Sequence, residues 1–322
     1  MTLAAKPKAK NLGYYAYSAL QKHFKKTLKW ESKVKKDKDP EALHQMRVGM
    51  RRLRTATSRF AAAVNLPKVV SDKNIGKIAR RLGNLRDLDV LKETLEHLFQ
   101  PELPKKERQS LQTALDALEK QREEALADVR DTLKDERYKA IKLALKKWLD
   151  EPNYQPLASL PMQEVLPDLL LPEVSDFLLH PGWLVGTEIE EHQIVVLHYW
   201  EAKKIEQELA TNGKTLHSLR KQTKRIRYQM ELFSDLYGET YTAYIAELKS
   251  IQDILGSIQD SMVLAEWLEG IFESEIQTQI PTVAALLGEN RYQMWQQWQP
   301  LQERYLQGKT RQDLHLTVLH PA

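Results

Sequence analysis

Apolar residues recur every three or four positions along most of this chain, which is the spacing of an amphipathic helix. The longest such run is LQTALDALEKQREEALADVRDTLKDERYKAIKLALKKWL at residues 111–149. We find no strand-like alternation, and glycine is scarce, with 12 in 322 residues. The pattern predicts an all-α fold in which this run forms one very long helix, or two nearly continuous ones, as a protruding hairpin.

Prolines interrupt the helical pattern near the middle of the chain, where six of the 14 lie between residues 152 and 181. Proline lacks a backbone N–H and clashes with the preceding turn, so this stretch is not expected to be a continuous helix. Its apolar content indicates that it packs on the protein rather than swinging as a linker. We therefore place a connector at residues 151–187, between a first half at 12–150 and a second half at 188–310.

The two halves contain the same pair of motifs. LHQMRVGMRRLRTATSRF at residues 43–60 aligns with LHSLRKQTKRIRYQMELF at residues 216–233, with six of 18 positions identical. At the same offset of 173 residues, and without a gap, LGNLRDLDVL at residues 82–91 aligns with LGSIQDSMVL at residues 255–264. Two matches at one offset predict an internal duplication, in which each half repeats the same helix, loop, helix geometry.

On a helical wheel, the first motif of each half has one apolar side and one wholly cationic side. The cationic side in the first half, here called the first stripe, comprises His44, Arg47, Arg51, Arg52 and Arg54. Its counterpart, the second stripe, comprises His217, Arg220, Lys221, Lys224, Arg225 and Arg227. Asp39 and Pro40 precede the first motif as a capping residue and a first-turn proline, so a helix is expected to carry the arginines.

Like charges one helical turn apart repel, so such stripes lower the stability of the helix unless an anion balances the charges. Arginine binds phosphate oxygens through two parallel N–H groups, and guanidinium groups spaced one turn apart suit a polymer of phosphates better than one small anion. The two histidines are expected to add a donor that is partly protonated near neutral pH. An alternative stays open, in which the stripes form ion pairs within the protein with Asp87, Asp89 and Asp260.

Charge and composition narrow the class of protein. The net charge is +4, yet residues 1–60 hold 16 Lys and Arg against four acids, and such a local field attracts polyanions. Residues 1–11 are expected to form a solvated tail. No apolar run is long enough for a membrane span or a secretory signal, so we expect a cytoplasmic protein without membrane partners. The absence of cysteine excludes disulfides, thiolate metal sites and thiol catalysis.

Sequence motifs for catalysis on phosphates are missing, since neither GxxxxGK nor GxGxxG nor HExxH occurs. His192 and His198 are six residues apart, which does not place them on one helix face as a zinc pair. Asp87 and Asp89 resemble half of a magnesium site, but the adjacent Arg86 favours an internal ion pair. The sequence therefore predicts a binding protein, not an enzyme, with no cofactor and no metal site.

These motifs together resemble the CHAD family, the conserved histidine alpha-helical domain, over roughly residues 12–310. The resemblance implies two pseudo-symmetric four-helix bundles whose basic helices line a central groove or pore that binds inorganic polyphosphate, with association to polyphosphate granules. Carried over by position, the implied ligands are His44, Arg47, Arg51 and Arg54 with His217, Arg220, Lys224 and Arg227. Gln259 and Met262 depart from the pattern at the positions of Arg86 and Asp89, which weakens the second motif's expected contribution. Some family members carry a catalytic domain with an ExExK strand, and no ExExK occurs here.

Further basic residues extend the candidate site. The additional lining is predicted to include Lys22, Lys25, Lys26, Lys29, Arg80 and Arg86, although a solvated face explains the four lysines equally well. Two other functions stay open. A nucleic-acid binder is the less favoured alternative, because Tyr228 is the one aromatic residue on the basic arc. A docking subunit of a polyphosphate-metabolising enzyme would use residues 105–149 and the aromatic run at 292–306, for which core packing is the simpler explanation.

Overall fold

The computed structural model describes residues 10–96 and 103–321, so the expected solvated tail at 1–11 lies almost wholly outside the described residues. Over these residues the chain is helical apart from one short hairpin, which confirms the all-α class. The helices are α1 Leu12–Lys36, α2 Pro40–Arg59, α3 Asp72–Thr94, α4 Lys105–Lys134, α5 Glu136–Asp150, α6 Met162–Leu178, α7 Ala202–Glu231, α8 Glu239–Phe272, α9 Ile276–Gln279, α10 Pro281–Leu306 and α11 Gly308–Leu319. None of the described helices is long and apolar enough to cross a membrane.

The chain divides into two compact units. Among the described residues, the first unit holds 10–96 and 115–165, and the second holds 103–114 and 166–321. The second unit thus takes in a short segment that the sequence assigned to the first half. The predicted bounds of 12–150, 151–187 and 188–310 stay a prediction, as does the internal duplication.

Helix α2, which carries the first stripe, lies against both α1 and α3. It begins as predicted, because the Asp39 side chain accepts a hydrogen bond from the Glu41 backbone N–H at 3.0 Å and Pro40 opens the first turn. Its apolar side is buried. Gly49 allows a close approach to α1, since a Cβ at that position would lie 2.8 Å from the Thr27 hydroxyl and 3.0 Å from the Thr27 backbone nitrogen.

Helix α7, which carries the second stripe, packs its apolar side on α8. Behind this pair lies an aromatic core in which Trp183 stacks on Trp298 at 5.1 Å and on Tyr305 at 5.0 Å between ring centroids. Trp295, Trp298 and Tyr305 are fully buried. The aromatic run at 292–306 therefore forms core, and these rings offer no surface to a docking partner.

The long run at 111–149 forms two nearly continuous helices, α4 and α5, separated at Asp135. The Asp135 side chain accepts a hydrogen bond from the Arg137 backbone N–H at 2.7 Å and so caps α5. Both helices bury one side along their length, and Arg122 on α4 binds Asp37 at 2.8 Å. Residues 115–149 of this run belong to the first unit, and the protruding hairpin stays a prediction.

The proline-rich stretch is not one continuous helix, as expected, but helix α6 occupies more than half of it. It runs from residue 162 to 178 with Pro167 and Pro172 inside it. The carbonyls that lose their intrahelical partners belong to Gln163 and Asp168, whose side chains lie on the exposed side of the helix. The opposite side is buried through its Leu, Val and Phe residues. We infer that this burial outweighs the local cost of proline.

A hairpin of two strands, β1 Thr187–Glu190 and β2 Gln193–Val196, was missed by the sequence analysis. Glu191 and His192 form its turn with φ of 47° and 68°, the left-handed geometry of a two-residue hairpin turn. Neither residue is glycine, and four-residue strands give little alternation to detect. The hairpin also places His192 in an exposed turn, away from any helix face.

Candidate functional site

A groove between α2 and α3 brings together most of the first stripe. Its volume is about 260 Å³. Its described lining consists of Arg47, Arg51, Arg54, Gly76, Ala79, Arg80, Gly83, Asn84 and Asp87. Four arginines and one aspartate therefore line the groove, and the small residues of α3 leave room for the arginines of α2. Arg80, predicted as additional lining, lies in this groove.

Two arginines of the groove contact acids on α3. Arg54 makes two parallel hydrogen bonds to Asp72, at 2.7 and 2.9 Å, which raise the pKa of Arg54 above its usual range. Arg47 approaches Asp87 more loosely, with 3.2 Å between Nη2 and Oδ1. Asp87 thus acts as the internal partner that the alternative interpretation named, whereas Asp72 was not foreseen.

His44 lies among the same cations. Burial lowers the pKa of His44, Glu41 opposes this, and the positive charges of Arg86, Arg47 and Arg51 lower it further. Arg86 on α3 therefore belongs to this neighbourhood, and it also lies 4.0 Å from Glu93. The surroundings of His44 thus favour the neutral imidazole, which opposes the partial protonation that we expected near neutral pH.

Arg52 does not line this groove. It lies on the α1 side of α2, near His23. Burial lowers the pKa of His23 to about 4, and the charges of Arg52, Lys22 and Lys26 act in the same direction. Burial and the charges of Arg52, Lys22 and Lys29 likewise lower the pKa of Lys26, against an opposing effect of Glu41. The first unit thus has two basic surfaces, one on each flank of α2. Of the other lysines, Lys25 is exposed, and Lys29 lies 5.4 Å from the ring of Trp30.

The second stripe repeats part of this arrangement in its own unit. Arg220 on α7 reaches α8, where its Nη2 lies 3.7 Å from Oδ1 of Asp260. Burial lowers the pKa of His217, and the charges of Lys221, Arg220 and Lys224 lower it further. Three of the predicted cations therefore lie close to this imidazole. The pairs Arg47 with Asp87 and Arg220 with Asp260 lie at the same 173-residue offset as the sequence motifs.

The remaining two arginines of the second stripe are held by acids of the same unit. Arg225 binds Glu173 of α6 at 2.5 Å, and the Glu173 side chain is 3% exposed. Arg227 binds Glu231 on its own helix, and it donates from Nε to Gln252 of α8 at 3.1 Å. The Arg227 guanidinium also lies 4.3 Å above the ring of Tyr228. Both arginines thus have structural partners that the sequence analysis did not identify.

Asp89 serves a structural ion pair, as the sequence favoured. Arg122 on α4 binds Asp89 from Nε at 2.7 Å and Asp37 from both terminal nitrogens at 2.8 and 2.9 Å. Burial nevertheless raises the pKa of Asp89, against the hydrogen bond and charge of Arg122. Within residues 10–96 and 103–321, no group of three or more His, Asp or Glu side chains is placed to hold a metal ion.

Two of the contacts that sequence reasoning missed involve acids outside the repeated motifs. Asp72 opens α3, and Glu173 lies in the proline-rich α6, so no fixed spacing relates either residue to its arginine. The glycines of α3 and α8 left a clearer signal. Gly83 and Asp87 recur as Gly256 and Asp260 in the second half. A helical wheel of α2 or α7 cannot show that these residues lie opposite the arginines, because it describes one helix at a time.

Comparison with known proteins agrees with this architecture. The family model described as the CHAD domain matches residues 18–269. No curated protein matches the sequence. The chain resembles the crystal structure of the CHAD domain from the plant Ricinus communis, at 22% identity and a TM-score of 0.59, covering 100% of this chain and 96% of that chain. It also resembles PptA from Streptomyces chartreusis, at 14% identity and a TM-score of 0.56, covering 95% and 99%. Because the family model spans most of the sequence, the chain belongs to the CHAD domain family.

Proposed function

We propose that this protein binds inorganic polyphosphate, without catalysing a reaction on it, through the first and second stripes. The observation that carries the proposal is the groove between α2 and α3, where the described lining has four arginines and one aspartate. A row of guanidinium groups matches a linear chain of phosphates, because each group can donate two charge-assisted hydrogen bonds. Membership of the CHAD family, which binds polyphosphate in general, supports this ligand.

Three finer statements belong to the same proposal. Both stripes hold one polyphosphate chain, as the resemblance implies, so affinity rises with chain length through effective concentration. The protein acts in the cytoplasm at polyphosphate granules. Polyphosphate-metabolising enzymes are its expected protein partners. They would dock on the exposed sides of α4 and α5.

Single-stranded nucleic acid is the competing ligand. Its binding draws on aromatic rings that stack on bases. In this chain the ring of Tyr228 faces the Arg227 guanidinium at 4.3 Å, so a base would have to displace that contact. Polyphosphate needs no such platform, and the observed contact therefore favours it.

Calorimetric titration with long-chain polyphosphate at about 0.1 M salt tests the proposal. We expect saturable binding that weakens steeply as salt rises, because condensed counterions are released when the cations bind the chain. Single-stranded DNA at equal phosphate concentration serves as competitor. The proposal fails if polyphosphate gives no titratable binding, or if the DNA displaces it at equal phosphate concentration.

Binding is also expected to take up protons. Burial and neighbouring cations lower the pKa of His44 and His217, so the free protein favours the neutral form of both side chains. A bound polyanion reverses the local field and raises both pKa values, so protonation favours the complex. Affinity should therefore increase as the pH falls from about 8 to about 6.

Titration heats in buffers of different ionisation enthalpy measure this uptake. Long chains are the appropriate ligand, because their few titrating ends contribute little. A variant carrying His44→Gln and His217→Gln should bind without the buffer-dependent heat. Equal heats in all buffers for the unmodified protein would contradict the assigned role of the histidines.

A further inference from the structure

An arginine of each stripe lies across a glycine of the facing helix. A Cβ placed on Gly256 of α8 would lie 3.1 Å from Nε and 3.3 Å from Nη2 of Arg220. A Cβ on Gly83 of α3 would lie 3.7 Å and 3.8 Å from the same atoms of Arg47. The planar end of each arginine therefore rests against helix backbone where any other residue would place a side chain.

An aspartate lies one helical turn beyond each of these glycines. Asp87 follows Gly83 by four residues, and Asp260 follows Gly256 by four. Each carboxylate contacts the terminal nitrogen of the arginine that rests on the glycine, at 3.2 Å for Arg47 and 3.7 Å for Arg220. Both aspartate side chains are 68% exposed, so these ion pairs add little to folding stability. Instead, each carboxylate orients the guanidinium group of its arginine.

Backbone conformation does not explain these glycines. Both lie inside regular helices, and neither has the left-handed φ that favours glycine. Among the described glycines, that conformation occurs at Gly186. Glycine is a poorer helix former than alanine, so it weakens α3 and α8. Space for the arginine is the feature that glycine supplies here, most strictly at Gly256, where the approach is closest.

We propose that Gly256 is a positioning residue of the polyphosphate site, whereas the looser fit at Gly83 leaves space for a Cβ. The missing side chain lets Arg220 lie flat on α8, and Asp260 orients its end. A long side chain held in this way loses less conformational freedom when it binds an anion, so more of the contact energy appears as affinity. This inference rests on the proposed function and names the residues that tune it.

The test is Gly256→Ala, with Gly270→Ala on the same helix as its matched control. No atom lies within 4 Å of a Cβ placed on Gly270. Both substitutions should raise the unfolding temperature or leave it unchanged, because alanine favours the helix. Only Gly256→Ala should weaken polyphosphate binding, by about tenfold, the usual effect of losing one charge-assisted contact. Gly83→Ala, whose Cβ would make ordinary contacts with Arg47, should bind within about twofold of the unmodified protein.

A double-mutant cycle shows whether Gly256 acts through Arg220. In a chain that carries Arg220→Ala, adding Gly256→Ala should have no further effect on affinity or on its salt dependence. The inference is overturned if Gly256→Ala binds like the unmodified protein, if its effect persists without Arg220, or if it fails to fold. Absence of binding by the unmodified protein is a different result, because it would refute the proposed function itself.

Discussion

Replacing Arg47, Arg51, Arg220 and Lys224 together with alanine is expected to weaken polyphosphate binding by about 10³- to 10⁴-fold. Each of the four cations can supply a charge-assisted contact to a phosphate, and each such loss is worth about tenfold in affinity. The salt dependence should change as well. With four fewer phosphate contacts, the plot of log affinity against log salt should be shallower by about 3. Calorimetric titration at several salt concentrations measures both effects.

The fold should survive this fourfold substitution. Arg47 and Arg220 contact carboxylates that are 68% exposed, and exposed pairs contribute little to stability. Removing neighbouring like charges also relieves repulsion along α2 and α7. We therefore expect helical content and unfolding temperature to stay at or slightly above the values of the unmodified protein.

A matched control separates the stripes from net charge alone. Exposed lysines outside the stripes, at positions 134, 139, 146 and 249, can be replaced with alanine for the same change in charge. This control should keep most of the affinity, since general attraction between distant charges is screened by salt. Equal losses in both variants would show that the stripes have no special role. Unfolding of the stripe variant would instead support the interpretation that their main role is internal ion pairing.

The sequence was sufficient to predict the helices that carry the site, because their signals are local. The apolar spacing and the Asp39 cap located α2, and the 173-residue offset located its counterpart α7. The partners of the arginines were not predictable in the same way. Contacts such as Arg54 with Asp72 depend on which helices pack together, and a helical wheel describes one helix at a time.

Two local rules also gave way to packing. Pro167 and Pro172 lie inside α6 because the buried side of that helix compensates for the lost backbone hydrogen bonds. The pKa of His44 and that of His217 are lowered because the same cations that make the site attractive to anions disfavour a charged imidazole. In both cases the residue type suggested one behaviour, and its tertiary surroundings produced another.

Arg225 shows how the structure divides the predicted stripe between binding and folding. The sequence placed this arginine among the polyphosphate ligands. In the structure it binds Glu173, whose side chain is 3% exposed, at 2.5 Å. Gln222 also donates to Glu173, at 3.3 Å, so α7 contacts this buried carboxylate at two positions. We therefore assign Arg225 mainly to holding α6 against α7.

Arg225→Ala is accordingly expected to lower the free energy of unfolding by about 2 kcal/mol, because it removes a charge-assisted hydrogen bond from a buried carboxylate. Affinity for polyphosphate, measured below the unfolding transition, should stay within about twofold.

Lys221→Ala on the same helix should show the opposite pattern, since this exposed lysine lies beside His217 and no buried acid depends on it in the described structure. Adding Glu173→Gln to Arg225→Ala should restore much of the lost stability by removing the buried charge. If Arg225→Ala instead keeps its stability and loses affinity, Arg225 binds the anion, and the pair with Glu173 is incidental to the fold.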